Sequence, residues 1–252
     1  MNDQPASEAV GADREATLRL LEHGELSVEG RLVDASNATL FCTVTLDGVT
    51  AACIHKPIAG ERPLWDFPEG TLASREVAAY VVSVATGWDI VPPTVMRDGP
   101  FGPGMCQLWI DVDEAVDLVA LARSDHPQLR RIAVFDAVVN NADRKGGHLL
   151  PTVDGHVHGV DHGVCFSVDE KLRTLLWQWR DRPLPAEALD VLRELEAGLT
   201  AHDGDASLCV ALRGLLAGDE VDQTLRRVRR LLRRKRFPLP SEDWPPIPWP
   251  PF

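Results

Sequence analysis

Residues 134–163 read VFDAVVNNADRKGGHLLPTVDGHVHGVDHG, and the fold turns on how this stretch is parsed. Leu129, Ile132, Ala133, Phe135, Asp136 and Val139 lie in a segment of helical length that the polar run NNADRKGG breaks. HLLPT and HVHGVDH then read as short strands joined by a turn at Asp154-Gly155, and the stretch closes on Asp161-His162-Gly163.

Upstream the pattern is sheet-like. VEGRLVD and ATLFCTVTLDGVTAACIH carry β-branched and aromatic residues, and Asp47-Gly48 between two apolar runs is a hairpin signal. Lys56 falls at the end of the second of these strands, just before Pro57. The loop IAGERPLWDFPEGT holds Trp65 and Phe67, which suggests a fixed loop rather than a linker. Ser74 is a candidate cap for the helix SREVAAYVVSVATGW, which Gly87 ends. VPPTVMRDG and GMCQLWIDVD add two more strands. Downstream, helices are expected over 186–198, 206–216 and 219–235, and prolines forbid regular structure in PLPSEDWPPIPWPPF. A sheet-rich first part and a helix-rich second part give an α+β, two-lobed chain. Residues 1–13 are expected as a flexible leader, 14–110 as an N-lobe, 111–238 as a helical C-lobe and 239–252 as a Pro/Trp-rich tail. The hinge would lie near 106–113.

The formal charge of −12 conceals two unlike parts. RRVRRLLRRKR, residues 226–236, carries eight bases and no acid, leaving 18 bases against 38 acids elsewhere. An acidic body repels phosphodiester backbones, so nucleic acid is not an expected partner. The basic run has Leu225, Val228, Leu231 and Leu232 at helical spacing and reads as an amphipathic helix whose apolar side packs on the body and whose arginines face solvent or the acidic surface. No run reaches the ~20 apolar residues of a membrane helix, and the polar N-terminus lacks signal-peptide features, so a cytoplasmic location is expected. Cys42, Cys53, Cys106, Cys165 and Cys209 are widely spaced with no CxxC pair, which fits buried thiols.

Four polar clusters interrupt the apolar patterning: Lys56, Glu76, the stretch Asn140–His148, and Asp161-His162-Gly163. Each is weak alone, but their order is that of a phosphoryl-transfer site. A point positive charge holds phosphates and a glutamate holds the lysine. One aspartate orients the attacking hydroxyl and accepts its proton; a second holds a divalent cation.

NADRKGGHLL followed by GVDHGVCF resembles the catalytic and metal loops of the phosphatidylinositol 3-/4-kinase-like superfamily, and IHKP with REVAAYVVSVATGWDIVPPTV resembles its lysine strand and glutamate helix. ERPLWDFPEGTLASREVAAY, VPPTV, VFDAVVNNADRKGGHLLP and GVDHG are together similar to an actinobacterial family of that clan, over most of residues 30–185. The resemblance implies a bilobal kinase-like fold and transfer of the γ-phosphoryl of ATP, with Mg²⁺ or Mn²⁺, to a hydroxyl on a protein, lipid or small molecule. It also implies roles: Lys56 on phosphate, Glu76 paired with it, Asp143 as the catalytic-loop aspartate, Arg144 supporting the loop, and Asp161 on the metal. His148 falls where those kinases place a metal-binding asparagine, and Asn140 and Asn141 are nearby substitutes. No GxGxxG is present; Ser36, Asn37 and Thr39 are the polar donors of the candidate phosphate loop. Met105, Leu108 and Trp109 are candidates for the adenine wall.

Two rival readings stand beside this. A pseudokinase or nucleotide-binding regulator would keep the fold without transfer, as the His148 departure and the glycine-poor loop suggest. A metal-dependent hydrolase would use Asp143, His148, His156, His158, Asp161 and His162, which fall within 20 residues, with His156-x-His158 on one strand face.

Overall fold

The structure, a computed structural model, describes residues 6–32, 37–201 and 207–252. The chain divides into two compact units, the first running to Val77 and resuming over Pro92–Trp109, the second comprising Ala78–Val91 and Ile110–Phe252.

In the first unit, helix α1 (Ala6–His23) takes up part of the stretch read as a flexible leader. Five strands follow: β1 (Glu25–Arg31), β2 (Leu40–Leu46), β3 (Val49–Pro57), β4 (Thr94–Gly99) and β5 (Gly102–Leu108). They form one antiparallel sheet in the order β1-β2-β3-β5-β4. The β2–β3 turn is the expected Asp47-Gly48, with φ of 50° and 81°, the doubly positive pair of a type I′ hairpin. Alternation along β2 buries Leu40, Cys42 and Val44, which join Leu20 and Leu21 of α1 with Cys53 and Cys106 in one core. Each aliphatic side chain so buried contributes about 1.5–3 kcal/mol. All five cysteines are buried and free. Burial, then the neighbouring Cys53, pushes the Cys42 thiol up to about 11, so it stays protonated and behaves as a small hydrophobe.

Helix α2 (Leu72–Thr86) opens within this unit. Its cap is not Ser74, which lies inside the helix. The Glu61 carboxylate instead accepts from the N–H groups of Leu72 (3.2 Å) and Ala73 (2.9 Å), a long-range cap that also favours the helix dipole. The aromatic loop is pinned further by Arg75, whose guanidinium lies 4.8 Å over the Phe67 ring.

The second unit is mainly helical, with α3 (Leu118–Arg123), α4 (Pro127–Val139), α5 (Ala186–Thr200), α6 (Leu208–Arg213) and α7 (Gly218–Arg234), plus the hairpin β6 (Leu149–Pro151) and β7 (Val157–Gly159). Proline in the first turn and His126 as N-cap start α4, and Asn140 ends it in the left-handed conformation. Leu129, Ile132, Val134, Phe135, Val138 and Val139 are all essentially inaccessible, so α4 is buried around its circumference.

Helix α7 turns some of its arginines toward an acidic residue of the body and buries one of them. Val228 and Leu231 are buried as the spacing implied, but Arg227 is buried with them. It pairs with Glu170 at 3.4 Å and donates to the Ser167 carbonyl. Burial, partly offset by Glu170, lowers its pKa to about 10. Arg230 reaches the same carboxylate at 2.5 Å. The tail after α7 lacks regular structure but is not loose. Pro246 O accepts from Thr174 N–H (3.0 Å) and Trp177 Nε1–H (2.8 Å), and Pro245 O from Arg173 Nε–H (3.1 Å). Among the described residues no helix is long and apolar enough to cross a membrane.

Candidate active site

Each unit carries its own part of the constellation. In the first, Lys56 sits one residue from the end of β3, opposite Met105 of β5, and Glu76 lies in the second turn of α2. Lys56 Nζ donates to Glu76 Oε1 at 2.8 Å across the 20 residues between them. The Glu76 side chain is only 3% exposed, and a buried carboxylate is costly unless paired. The close approach of β5 to the lysine requires Gly104, where a Cβ would lie 2.3 Å from the Lys56 carbonyl oxygen.

Ser36 lies outside the described residues. Asn37 Oδ1 accepts from Arg62 N–H at 2.9 Å, tying its loop to the aromatic one. Trp109 stands edge-on to Phe41 at 5.1 Å and remains partly exposed, while Met105 is fully buried.

In the second unit the polar run after α4 is organised by a residue the sequence reading treated as part of the helix, Asp136. It is fully buried and accepts from Arg144 Nε–H (3.0 Å) and Nη2–H (2.9 Å) and from Asn141 Nδ2–H (3.0 Å). Arg144, also fully buried, spends its remaining donors on the carbonyls of His148 (3.2 Å) and Val160 (3.0 Å) and on His162 Nε2 (2.6 Å). All five guanidinium N–H groups are thus engaged, and the last contact fixes His162 as an acceptor at Nε2. Burial opposes the Arg144 charge, but Asp136 outweighs it and the pKa is raised. Arg144 therefore braces the loop from beneath.

Asn140 and Asn141 are not spare metal ligands. Asn140 Nδ2 donates to the Ser167 (3.1 Å) and Asp169 (2.6 Å) carbonyls and its Oδ1 accepts from Lys171 N–H (3.0 Å). Asn141 Oδ1 accepts from Asp143 N–H at 2.9 Å. Both side chains build the loop that presents Asp143.

Asp143 pairs with Lys145 at 3.1 Å and is about one-third exposed. Asp161, at φ 65°, holds its half-exposed carboxylate 3.3 Å from His148 Nε2. Nδ1 of His148 accepts from Lys145 N–H at 3.4 Å, so in this arrangement the ring proton sits on Nε2, facing Asp161. Burial lowers the His148 pKa against the pull of Asp161. Asp161 offers the half-exposed carboxylate oxygens that a hard divalent cation prefers. His148 could ligate through Nε2 only by moving its proton to Nδ1 and giving up the Lys145 bond.

The six residues of the hydrolase reading do not converge. His148 belongs with Asp161, His162 with Arg144, and His156 and His158 with each other, ring centroids 4.4 Å apart.

The tail completes the loop: Gly146 N–H donates to Pro251 O at 2.8 Å, and a Cβ on Gly146 would sit 2.0 Å from the Phe252 ring.

No protein-family model matches the chain. Protein Rv2133c of Mycobacterium tuberculosis is 44% identical, over 94% of this chain and 97% of its own length. Phosphatidylinositol 4-kinase gamma 4 of Oryza sativa subsp. japonica and of Arabidopsis thaliana are each 28% identical, over 55% and 66% of this chain. The chain spans only 28% and 33% of those two kinases. Crystal structures of the Golgi casein kinase superpose with TM-scores of 0.52 and, with Mn/ADP bound, 0.56; both cover 89% of this chain and 75% of theirs at 13% and 14% identity. The chain thus has a kinase-like α+β fold, and it belongs to the family of Mycobacterium tuberculosis Rv2133c.

Proposed function

We propose that the protein is a phosphotransferase that uses ATP and a divalent cation to phosphorylate a hydroxyl acceptor. The observation that carries this reading is the Lys56–Glu76 pair, a buried carboxylate holding a strand lysine at 2.8 Å in the arrangement that phosphate binding requires. Lys56 binds the phosphates as a point charge and Glu76 fixes its direction. Asp143 orients the acceptor hydroxyl and takes its proton, and Lys145 pairs with that carboxylate at 3.1 Å. Asp161 would hold the cation, and His148 sets the orientation of Asp161. When bound, Mg²⁺ or Mn²⁺ supplies the positive charge that offsets the phosphates. Arg144 and Asp136 position the loop without touching substrate. Positioning and electrostatics supply the rate. The similar kinases bear names pointing to a lipid and to a protein acceptor, so no acceptor class is chosen.

The test is transfer from γ-labelled ATP with Mn²⁺ to casein, phosphatidylinositol vesicles and the protein itself. Asp143→Ala should abolish transfer while keeping the nucleotide-induced rise in Tm; Lys56→Ala should weaken both, and Asp161→Ala should remove the metal dependence. Transfer undiminished in all three variants would sink the assignment.

One observation favours a second reading, nucleotide binding without transfer: the His148 N–H directed at the metal-loop aspartate, in place of an oxygen ligand. Wild type that binds ATP yet shows no Asp143-dependent turnover would establish it.

A further inference from the structure

We propose that Asp89, His156 and His158 form a second metal site, selective for Zn²⁺ or a similar borderline cation, that clamps the turn after α2 to the β6–β7 hairpin. All three residues lie in the second unit, and none takes part in the constellation above. One donor atom from each lies within 4.8 Å of the others.

The local sequence builds the site. Gly87 (φ 65°) ends α2, and Asp89 (φ 51°) follows in a left-handed turn that leaves its carboxylate exposed. On the hairpin, Val157 is buried in β7, and the period of two puts His156 and His158 on the opposite face. The two pieces of chain are already joined by backbone, since Gly159 N–H donates to Ile90 O at 2.8 Å.

Two features point to a ligand. Nδ1 of His158 is buried and has no hydrogen-bond partner, and a ring nitrogen of this imidazole lies within 4.8 Å of the exposed Asp89 carboxylate. His156 Nε2 lies 2.7 Å from the Asp89 carbonyl oxygen, so it carries the proton and donates, which orients the ring and leaves Nδ1 with a free lone pair. A carbonyl that fixes the tautomer of an imidazole is the usual outer support of a histidine ligand. Two imidazoles and one carboxylate are a donor set for zinc with an open position for water, whereas Mg²⁺ prefers oxygen alone. A tetrahedral site with ligands at about 2.0–2.2 Å needs donors closer than those found here, a contraction that side-chain rotation supplies. Bound metal would fasten the far end of α2, the helix that carries Glu76.

The experiment is a titration of EDTA-stripped full-length protein with Zn²⁺, and with Co²⁺ as a spectroscopic probe, read by calorimetry, visible absorption and Tm. It uses an Asp143→Asn/Asp161→Asn background, so the other acidic pair contributes nothing. One equivalent of Zn²⁺ should bind, raise Tm and give Co²⁺ the spectrum of a low-coordinate nitrogen site. His158→Gln should weaken binding at least ~10-fold, as loss of a ligand must cost no less than loss of its outer support. If His158→Gln fails to fold, Asp89→Asn at the exposed carboxylate is the substitute, with the same expected loss. Absence of stoichiometric Zn²⁺ binding, or equal affinity in the parent and Asp89→Asn, overturns the proposal. The result stands apart from any phosphotransfer assay, because the background variant lacks both catalytic carboxylates.

Discussion

Substituting Asp136 by alanine removes the carboxylate that pairs with Arg144 at 2.9 Å, and both side chains are fully buried. Relocating a guanidinium to water is not open to a residue whose remaining donors hold the His148 and Val160 carbonyls. The charge is therefore left uncompensated in the interior, and breaking such a pair costs about 3–5 kcal/mol. Against a total stability of roughly 5–15 kcal/mol this is a large fraction. With a urea m-value near 3 kcal/mol/M, the midpoint should fall by about 1–1.7 M. Far-UV circular dichroism during urea unfolding reads it. Asp136→Asn, which keeps the shape and discards the charge, should lose nearly as much. Asp136→Leu combined with Arg144→Met removes both charges and should recover part of the loss. The recovery stays incomplete because His148 O, Val160 O and His162 lose their donor. A single-variant loss under ~1 kcal/mol, or strict additivity in the double-mutant cycle, would refute the view that this pair organises the loop.

Gly104→Ala places a methyl 2.3 Å from the Lys56 carbonyl oxygen and 2.6 Å from Pro57 Cα, both backbone, and should cost about 1–3 kcal/mol in a thermal or urea melt. Gly146→Ala should instead displace the Phe252 ring, so limited proteolysis should cut residues 240–252 faster while urea stability changes little. For Glu170, burial raises the pKa, but the hydrogen bond from Arg230 and the charge of Arg227 prevail and it is lowered below the ordinary 4.5. A depressed folded pKa gives stability that is present above the unfolded value and lost as pH falls through the folded one. The Tm gap between wild type and Glu170→Gln should therefore shrink from about pH 6 to about pH 3 and close at the acid end.

Local rules were enough wherever the determinant was local. Asp47-Gly48 specified a type I′ hairpin because only residues tolerant of positive φ fit both central positions. The 20-residue offset of Lys56 and Glu76 was legible because a strand end and a helix start each tolerate only a few charged placements. Determinants distant in sequence left no such mark. Nothing near Leu72 shows that Glu61 will cap the helix from 11 residues away. Asp136 sits among apolar neighbours and looks like an ordinary helix residue; its role appears only when Arg144 is eight residues on and beneath it. The burial of Arg227 is hidden for the same reason, since it depends on Glu170 and Ser167 in another segment. In each case a charge was placed by its partner, and partners are a property of the fold.

The tail has a consequence for the order in which the protein matures. Pro245, Pro246 and Pro251 have no N–H and offer only carbonyls, so the donors that meet them come from the body: Arg173, Thr174, Trp177 and Gly146. Proline holds the segment extended beforehand, and little conformational freedom remains to be lost when it settles. Yet Gly146 cannot satisfy its N–H until Pro251 exists. At about 5–20 residues per second, the ribosome adds Pro251 on the order of 5–20 s after Gly146. During that interval the loop bearing Asp143 can already stand on Arg144 and Asp136, while its glycine turn waits for the last residues to close over it.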